Sequence, residues 1–338
     1  MTAIPSQKPA AVSVKPLDRL AIDLKADMDA VNALILDRMQ SGVPLIPELA
    51  GHLIAAGGKR IRPLLTLASA ALFGYDGTRQ HKLAACVEFI HTATLLHDDV
   101  VDESDQRRGK SSANAVFGNE AAVLVGDFLF SRSFQLMVED GSLDVLRILS
   151  TASAVIAEGE VLQLSIAGDT ATNEEQYYQV IGAKTAELFA AACEVGAVVA
   201  GRSAEECKAM RDYGMYLGIA FQISDDVLDY MASEARLGKS VGDDFKEGKM
   251  TLPVIKAIAC ADADEKAFWQ RTMQDMNQQP DDLDHAIGLI NRHGTIAASL
   301  EAARGFAALG RKALQSLPAS DLNDCLQDLI VFAVERDY

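Results

Sequence analysis

The sequence predicts an all-α fold, and three observations carry that expectation. Apolar residues recur at helical spacing along most of the 338 residues. No stretch shows a convincing strand pattern. Short polar joints separate the periodic segments. The stretch "LDRLAIDLKADMDAVNALILDRM" (17–39) reads as the first amphipathic helix. Pro63 opens and Gly74 closes the next, "PLLTLASAALFG", with the Pro-first, Gly-last asymmetry of a helix. Further helices read at roughly 78–104, 119–139, 142–166, 174–201, 204–231, 251–260, 264–277, 281–292, 294–315 and 320–336. Several are apolar around most of their circumference, so a central layer must be wrapped by others. No linker divides the series. The expected organisation is a loose tail over 1–16, which holds Pro5, Pro9 and Pro16 and no apolar face, followed by one domain over 17–338.

Apolar residues make up 49% of the chain, enough for a sizeable core. The first residues lack the apolar run of a secretory signal. No uninterrupted apolar run reaches membrane-spanning length, and "LFAAACEVGAVVAG", which carries Glu194, reads as a buried helix. Cysteines at 86, 193, 207, 260 and 325 form neither CxxC nor a zinc spacing, which fits a reducing cytoplasm, and Cys193 reads as a small core residue. The net charge of −17 argues against nucleic-acid binding. It also repels anions at long range, so an anion site must be built locally from clustered cations, helix N-termini or metal.

Two acidic clusters stand out against that background. "LLHDDVVDESDQRRGK" carries Asp98, Asp99 and Asp102, and "FQISDDVLDY" carries Asp225, Asp226 and Asp229. Residues four apart share a helix face, so Asp98 neighbours Asp102 and Asp225 neighbours Asp229. Both clusters end apolar helices, where the macrodipole is itself negative and adds to their repulsion. A hard divalent cation offsets both terms, and Mg²⁺ commonly takes one or two carboxylates plus substrate phosphates. By contrast, Asp281 and Asp282 begin a helix after Pro280, where acid is favourable, and they are assigned no chemistry. A calcium EF-hand is excluded because its ligands lie on a loop with an obligatory Gly and a closing Glu. A di-iron bundle wants Glu-x-x-His on each of two helices, and the sequence does not supply two such pairs.

Cations are clustered as well. "AGGKRIRP" places Gly57, Gly58, Lys59, Arg60 and Arg62 before a helix, a combination suited to an anion. Arg107, Arg108 and Lys110 follow the first acidic helix, and Arg can clamp phosphate with two parallel bonds. Lys239 and Lys249 lie in the Gly-rich, acidic stretch after the second. Lys184 and Thr185 form a polar pair inside an apolar helix, where an unpaired lysine is rare. Gln222 stands one turn before Asp226. Two metal-binding helix ends, cationic phosphate sites and an apolar channel suggest a diphosphate head with a greasy tail.

At this point the chain resembles the trans-isoprenyl diphosphate synthases. The resemblance rests on "GGKRIRP", "LLHDDVVDESDQRRGK", "GAKTAELF", "FQISDDVLDY" and "GKSVGDDFKEGKMTLP" in the family's order, and it covers nearly the whole chain beyond the tail. "HTATLLHDDVVDESDQRRG" and "GNEAAVLVGDFLFSR" resemble the long-chain branch, octaprenyl and decaprenyl diphosphate synthases of bacterial quinone biosynthesis. The resemblance implies a single large orthogonal helical bundle with a central cavity, a Mg²⁺ requirement and a homodimer. It implies that Asp98, Asp99, Asp102, Asp225, Asp226 and Asp229 hold an allylic diphosphate through Mg²⁺, and that Arg107, Lys184, Thr185, Gln222, Lys239 and Lys249 hold it directly. It implies that Lys59, Arg62, His91 and Arg108 hold isopentenyl diphosphate.

The expected reaction follows from electrostatics. Charge on the departing diphosphate is stabilised, the allylic C–O bond ionises, and the double bond of isopentenyl diphosphate attacks the cation. The product would grow along the helix carrying Asp98. Residues four or five places earlier lie about 6–7.5 Å along the axis, at Thr94 and Ala93. Short-chain relatives tend to carry a bulky aromatic here, so the resemblance implies growth past farnesyl. A geranylgeranyl or other medium-chain synthase is the alternative product class. A class I terpene cyclase is disfavoured because the second motif is DDxxD. A non-catalytic regulatory subunit is disfavoured because both acidic and cationic sets are intact. A long, water-insoluble product makes transient membrane contact plausible, without an anchor in the sequence.

Overall fold

A computed structural model of the chain describes residues 14–55, 58–107, 109–231 and 242–335. The helices are α1 (Pro16–Asp23), α2 (Lys25–Arg38), α3 (Leu45–Ala55), α4 (Ile61–Leu72), α5 (Arg79–Val101), α6 (Ala113–Phe117), α7 (Asn119–Asp140), α8 (Leu143–Ile166), α9 (Glu174–Ile181), α10 (Glu187–Val199) and α11 (Ala204–Met231). Then come α12 (Asp243–Lys246), α13 (Leu252–Cys260), α14 (Ala263–Trp269), α15 (Asp282–Arg292), α16 (Thr295–Leu314) and α17 (Asp321–Glu335). A two-stranded hairpin pairs β1 (Gln106–Arg107) antiparallel with β2 (Lys110–Ser111). Among the described residues this hairpin is the whole of the sheet structure.

The all-α expectation is met, with local departures. The helix expected over 17–39 breaks at Leu24, whose backbone (φ −104°, ψ 20°) leaves the helical region. The break lets α1 pack on α17 while α2 packs on α5. Pro63 lies in the first turn of α4, not at its first residue, where its missing N–H costs nothing because that turn's donors have no intrahelical partner. Gly74, at φ +71°, does terminate the helix. Helix α3, absent from the expected series, does repeat Leu45, Ile46, Leu49, Ala50 and Leu53 at helical spacing, whereas α6 and the hairpin are too short to show a period; α3 and α6 pack against α7 and each other. The segment expected as helix to 277 ends in a π turn, Gln270–Gln274. Asp282 binds Arg271 through both carboxylate oxygens, at 2.7 and 2.8 Å, which ties α15 to that turn.

One contiguous core runs from Leu17 to Val334 and includes Phe89, Phe189, Tyr213 and Trp269. At its centre α10 is buried along almost its whole length, packed against α4, α8 and α11, and Cys193 is one of its core residues. Helix α7 is the one helix among the described residues long and apolar enough on average to cross a membrane, but Asp127 and Arg132 interrupt its apolar run. Its buried face, with Val125, Leu129, Leu136 and Met137, belongs to the core and the helix packs on α5, while Leu124 and Val138 are exposed; Asp140 at its end binds Arg79 at 2.7 and 2.8 Å.

Candidate active site

The last turns of α5 and α11 carry the acidic clusters to one cavity of about 390 Å³. Asp102 from the first cluster and Asp226 from the second line it. So do Tyr177 and Ile181 of α9, Lys184, Thr185, Gln222, Asp244, Glu247 and Lys249. Apolar Val101, Leu164, Ile166 and Val180 complete the wall. Acid from two helices, cations and an apolar surface therefore share one space.

A π turn, Gly182–Ala186, interrupts the helix running from α9 into α10 and presents Lys184 and Thr185 to the cavity. Such bulges break the i→i+4 ladder and occur frequently at functional sites. Two glycines allow neighbours to close on it. A Cβ on Gly159 of α8 would lie 2.7 Å from the Lys184 backbone N, and one on Gly218 of α11 would lie 2.5 Å from the Ala186 Cα. Because α8 approaches so closely, Glu160 accepts a bond from Lys184 Nζ at 2.7 Å. Because α11 approaches so closely, Thr185 Oγ1 donates to Gln222 Oε1 at 2.9 Å. Gln222 Nε2 in turn donates to Asp226 Oδ1 at 2.7 Å, and the Tyr177 hydroxyl donates to Asp226 Oδ2 at 2.6 Å.

The six aspartates differ in their surroundings. Asp99 is buried and receives Arg107 at 2.6 and 2.7 Å, so the hairpin's arginine is docked on the acid expected beside it among the ligands. Asp98 lies 3.9 Å from Lys184 Nζ. Asp102, at the α5 C-cap, lies 3.4 Å from Lys249 Nζ. Asp229 accepts the Asp244 backbone N–H at 3.1 Å. Burial raises the Asp98 pKa, Lys184 lowers it and Asp102 raises it, with a net upward shift. Burial and Asp98 push Glu160 up to about 6 against the pull of Lys184. Burial pushes Asp226 up to about 7, although Tyr177 and Gln222 hydrogen-bond it. Burial pulls Lys249 down, but Asp244, Asp102 and Glu247 outweigh it and hold it above its ordinary value.

Among the described residues no three carboxylates form a ready-made metal cage. The donor set is hard oxygen on two sides of a cavity, and Asp98 and Asp226 are held short of comfortable ionisation. That suits a divalent cation whose remaining ligands are substrate oxygens.

A stability prediction follows with its sign. An acid whose native pKa lies above its unfolded value binds a proton the unfolded chain lacks, so stability falls as pH rises between the two values. For Asp226 that window runs from its ordinary 3.8 to about 7, with Glu160 titrating inside it near 6. Metal-free protein is expected to melt several degrees lower at pH 8 than at pH 5.5, and Mg²⁺ to recover the loss at pH 8. Scanning calorimetry in chelator and in Mg²⁺ checks this.

The second cationic group lies on α4 and α5. Arg62 Nη1 meets His91 Nε2 at 3.1 Å, and its guanidinium stacks 4.3 Å from the Phe189 ring centre. Lys59 precedes α4 and is exposed. Gly57, Arg108 and Lys239 lie outside the described residues. Ala93 is buried in the core and Thr94 donates to the His91 carbonyl at 2.8 Å; neither is among the cavity-lining residues. Sequence reading missed Glu160, Tyr177, Asp244 and Glu247. Asp244 and Glu247 lie inside the quoted stretch "GKSVGDDFKEGKMTLP", whereas Glu160 and Tyr177 carry no local signal.

Comparison with known proteins agrees with this fold. The polyprenyl synthetase family model matches residues 43–290. The octaprenyl diphosphate synthase of Escherichia coli is 48% identical over 311 residues, covering 92% of this chain and 96% of that protein. The crystal structure of a decaprenyl diphosphate synthase from Rhodobacter capsulatus superposes with a TM-score of 0.91 at 56% identity, covering 95% of this chain and 99% of that one. A polyprenyl synthase from Caulobacter crescentus, solved with calcium and isoprenyl diphosphate, superposes with a TM-score of 0.92 at 52% identity, covering 97% and 99%.

Proposed function

Because this chain belongs to the polyprenyl synthetase family, we propose that it is a prenyltransferase that extends an allylic diphosphate by repeated condensation with isopentenyl diphosphate to a long-chain polyprenyl diphosphate. The observation that carries the reading is the convergence of the α5 and α11 acids with Lys184 and Lys249 on one cavity. Octaprenyl and decaprenyl products are the favoured lengths, since relatives bearing those names match nearly the whole chain.

In this reading Asp98 and Asp102 from α5, with Asp225, Asp226 and Asp229 from α11, hold divalent cations, Mg²⁺ in the cell. Bound there, the metal supplies Lewis-acid charge to the departing diphosphate. Lys184, Thr185, Gln222, Lys239, Lys249 and Arg107 hold the allylic diphosphate, with Asp99 aiming Arg107. Lys59, Arg62, His91 and Arg108 hold isopentenyl diphosphate. The allylic C–O electron pair leaves with diphosphate, the isopentenyl double bond attacks the cation, and the proton lost goes to released diphosphate. Apolar walls exclude the water that would quench the cation. The chain acts as a cytoplasmic homodimer over one domain from residue 17, and its product serves as a quinone side chain after transient membrane contact.

Incubating the purified protein with Mg²⁺, farnesyl diphosphate and isopentenyl diphosphate should yield a long-chain diphosphate by mass spectrometry. A hydrocarbon formed without isopentenyl diphosphate would overturn the reading. Ala93→Phe, which places a ring five residues before the first acid, should shorten the product. Overpacking at this buried site should also cost about 1–3 kcal/mol in stability. An unchanged product length in folded enzyme would remove Ala93 from the channel.

A further inference from the structure

The segment "KRIRP" places three cations in four residues, and the structure divides them chemically. Arg60 is the residue before α4 and adopts the left-handed region, φ 48°, ψ 38°. It is one of three non-glycine residues at positive φ among those described. A side chain there is sterically disfavoured, and such conformations persist only where surroundings over-determine them. Here the surroundings are visible. Arg60 Nη1 donates to Glu88 Oε1, and Glu88 is a buried acid on α5. The Arg60 carbonyl also accepts the Leu64 N–H at 3.0 Å, the first intrahelical bond of α4.

One turn along α5 from Glu88, on the same face, stands His91. It meets Arg62, which is also pinned on Phe189 of α10. The two arginines thus dock on successive turns of one helix. Their duties differ. Arg60 is neutralised by a buried carboxylate and is poorly placed to serve an anion. Lys59 and Arg62 lie on either side of it in the chain.

We propose that the Arg60–Glu88 pair is a positioning device: it holds the left-handed turn before α4 and so aims Lys59 and Arg62 at the diphosphate of isopentenyl diphosphate without touching it. This rests on the pocket assignment under the proposed function, and the test separates the two.

The KM for isopentenyl diphosphate, the KM for the primer and kcat are measured for Arg60→Ala, Arg60→Gly, Arg60→Lys, Glu88→Gln and Arg62→Ala. Arg60→Ala, Arg60→Gly and Glu88→Gln should each raise the isopentenyl diphosphate KM by about tenfold, with the primer KM within about twofold. Arg60→Lys should restore most of the affinity, and Arg60→Ala combined with Glu88→Gln should be no worse than either alone. Glycine adopts the left-handed turn without a side chain, so full activity in Arg60→Gly would mean that backbone shape suffices and would overturn the proposal. A lower KM in Glu88→Gln would overturn it too, since Arg60 would then be a substrate ligand released from its counter-ion. Equal rises in both KM values would indicate general loosening and likewise reject it. If Arg60→Ala fails to fold, the isosteric Glu88→Gln decides. Arg62→Ala raising the KM while the Arg60 and Glu88 variants stay flat rejects the positioning role alone; a flat Arg62→Ala rejects the pocket.

Discussion

Asp98→Asn is expected to lower kcat by about 10³-fold, roughly 4 kcal/mol of transition-state stabilisation, with little change in fold. The substitution keeps size and removes the charge proposed to hold a divalent cation over the departing diphosphate. Asp98 is already held short of comfortable ionisation by burial, with Lys184 nearby the main opposing influence and Asp102 adding to the upward shift. Its ionised form is disfavoured in the metal-free cavity, which makes structural stabilisation a poor explanation for its presence. Two readouts check the assignment. Steady-state turnover should fall as stated, and Mg²⁺ titration in the presence of a non-reactive primer analogue should show weakened metal binding. Turnover within tenfold of the parent would remove Asp98 from the catalytic set. Asp99→Asn should act differently, because Asp99 is engaged by Arg107. Its main loss should be in primer affinity.

Lys184→Ala is expected to lower kcat/KM for the primer by about 10²–10³-fold. Lys184 projects from the π turn between Glu160 at 2.7 Å and Asp98 at 3.9 Å. It joins Arg107 on Asp99 and Lys249 on Asp102 as a cation facing the first acidic cluster. Removing it takes a donor from the diphosphate and leaves Glu160 and Asp98 facing each other without their shared counter-ion. Metal-free Lys184→Ala should therefore lose more stability between pH 6 and 8 than the parent, the sign following from two raised carboxyl pKa values. Lys184→Arg should restore little, because a planar fork does not reproduce a compact ammonium on this turn. The measurements are initial rates against primer concentration and melting temperature against pH. A kcat/KM within a few-fold of the parent would show that Lys184 only balances charge.

Much of the site was legible because its chemistry is local. Carboxylates at i and i+4 near a helix C-terminus are unfavourable by simple electrostatics, so Asp98 with Asp102 and Asp225 with Asp229 called for a cation before any fold was known. Lys184 and Thr185 stood out because apolar helices do not bury a polar pair idly. Glu160 and Tyr177 were not legible. Glu160 is an ordinary acid on an amphipathic helix until Gly159 lets α8 close on the π turn. Tyr177 is an ordinary aromatic until α9 sets its hydroxyl 2.6 Å from Asp226. The π turn itself has no periodic signature, since one inserted residue in a helical ladder leaves the apolar pattern on both sides intact.

The sequence by itself determined that the protein is helical, that it carries two acidic helix ends and that its cations are clustered, because periodicity, dipole direction and charge spacing are properties of neighbouring residues. Only the tertiary structure decided which aspartate faces which cation, which arginine of "KRIRP" is spent on Glu88, and that Asp102 of the first cluster and Asp226 of the second line one cavity. Those facts depend on close approaches between helices far apart in the chain, set by a missing Cβ at Gly159 and Gly218 and by a break in the helix at residues 182–186. No local pattern encodes a distance between elements that meet only when the core closes.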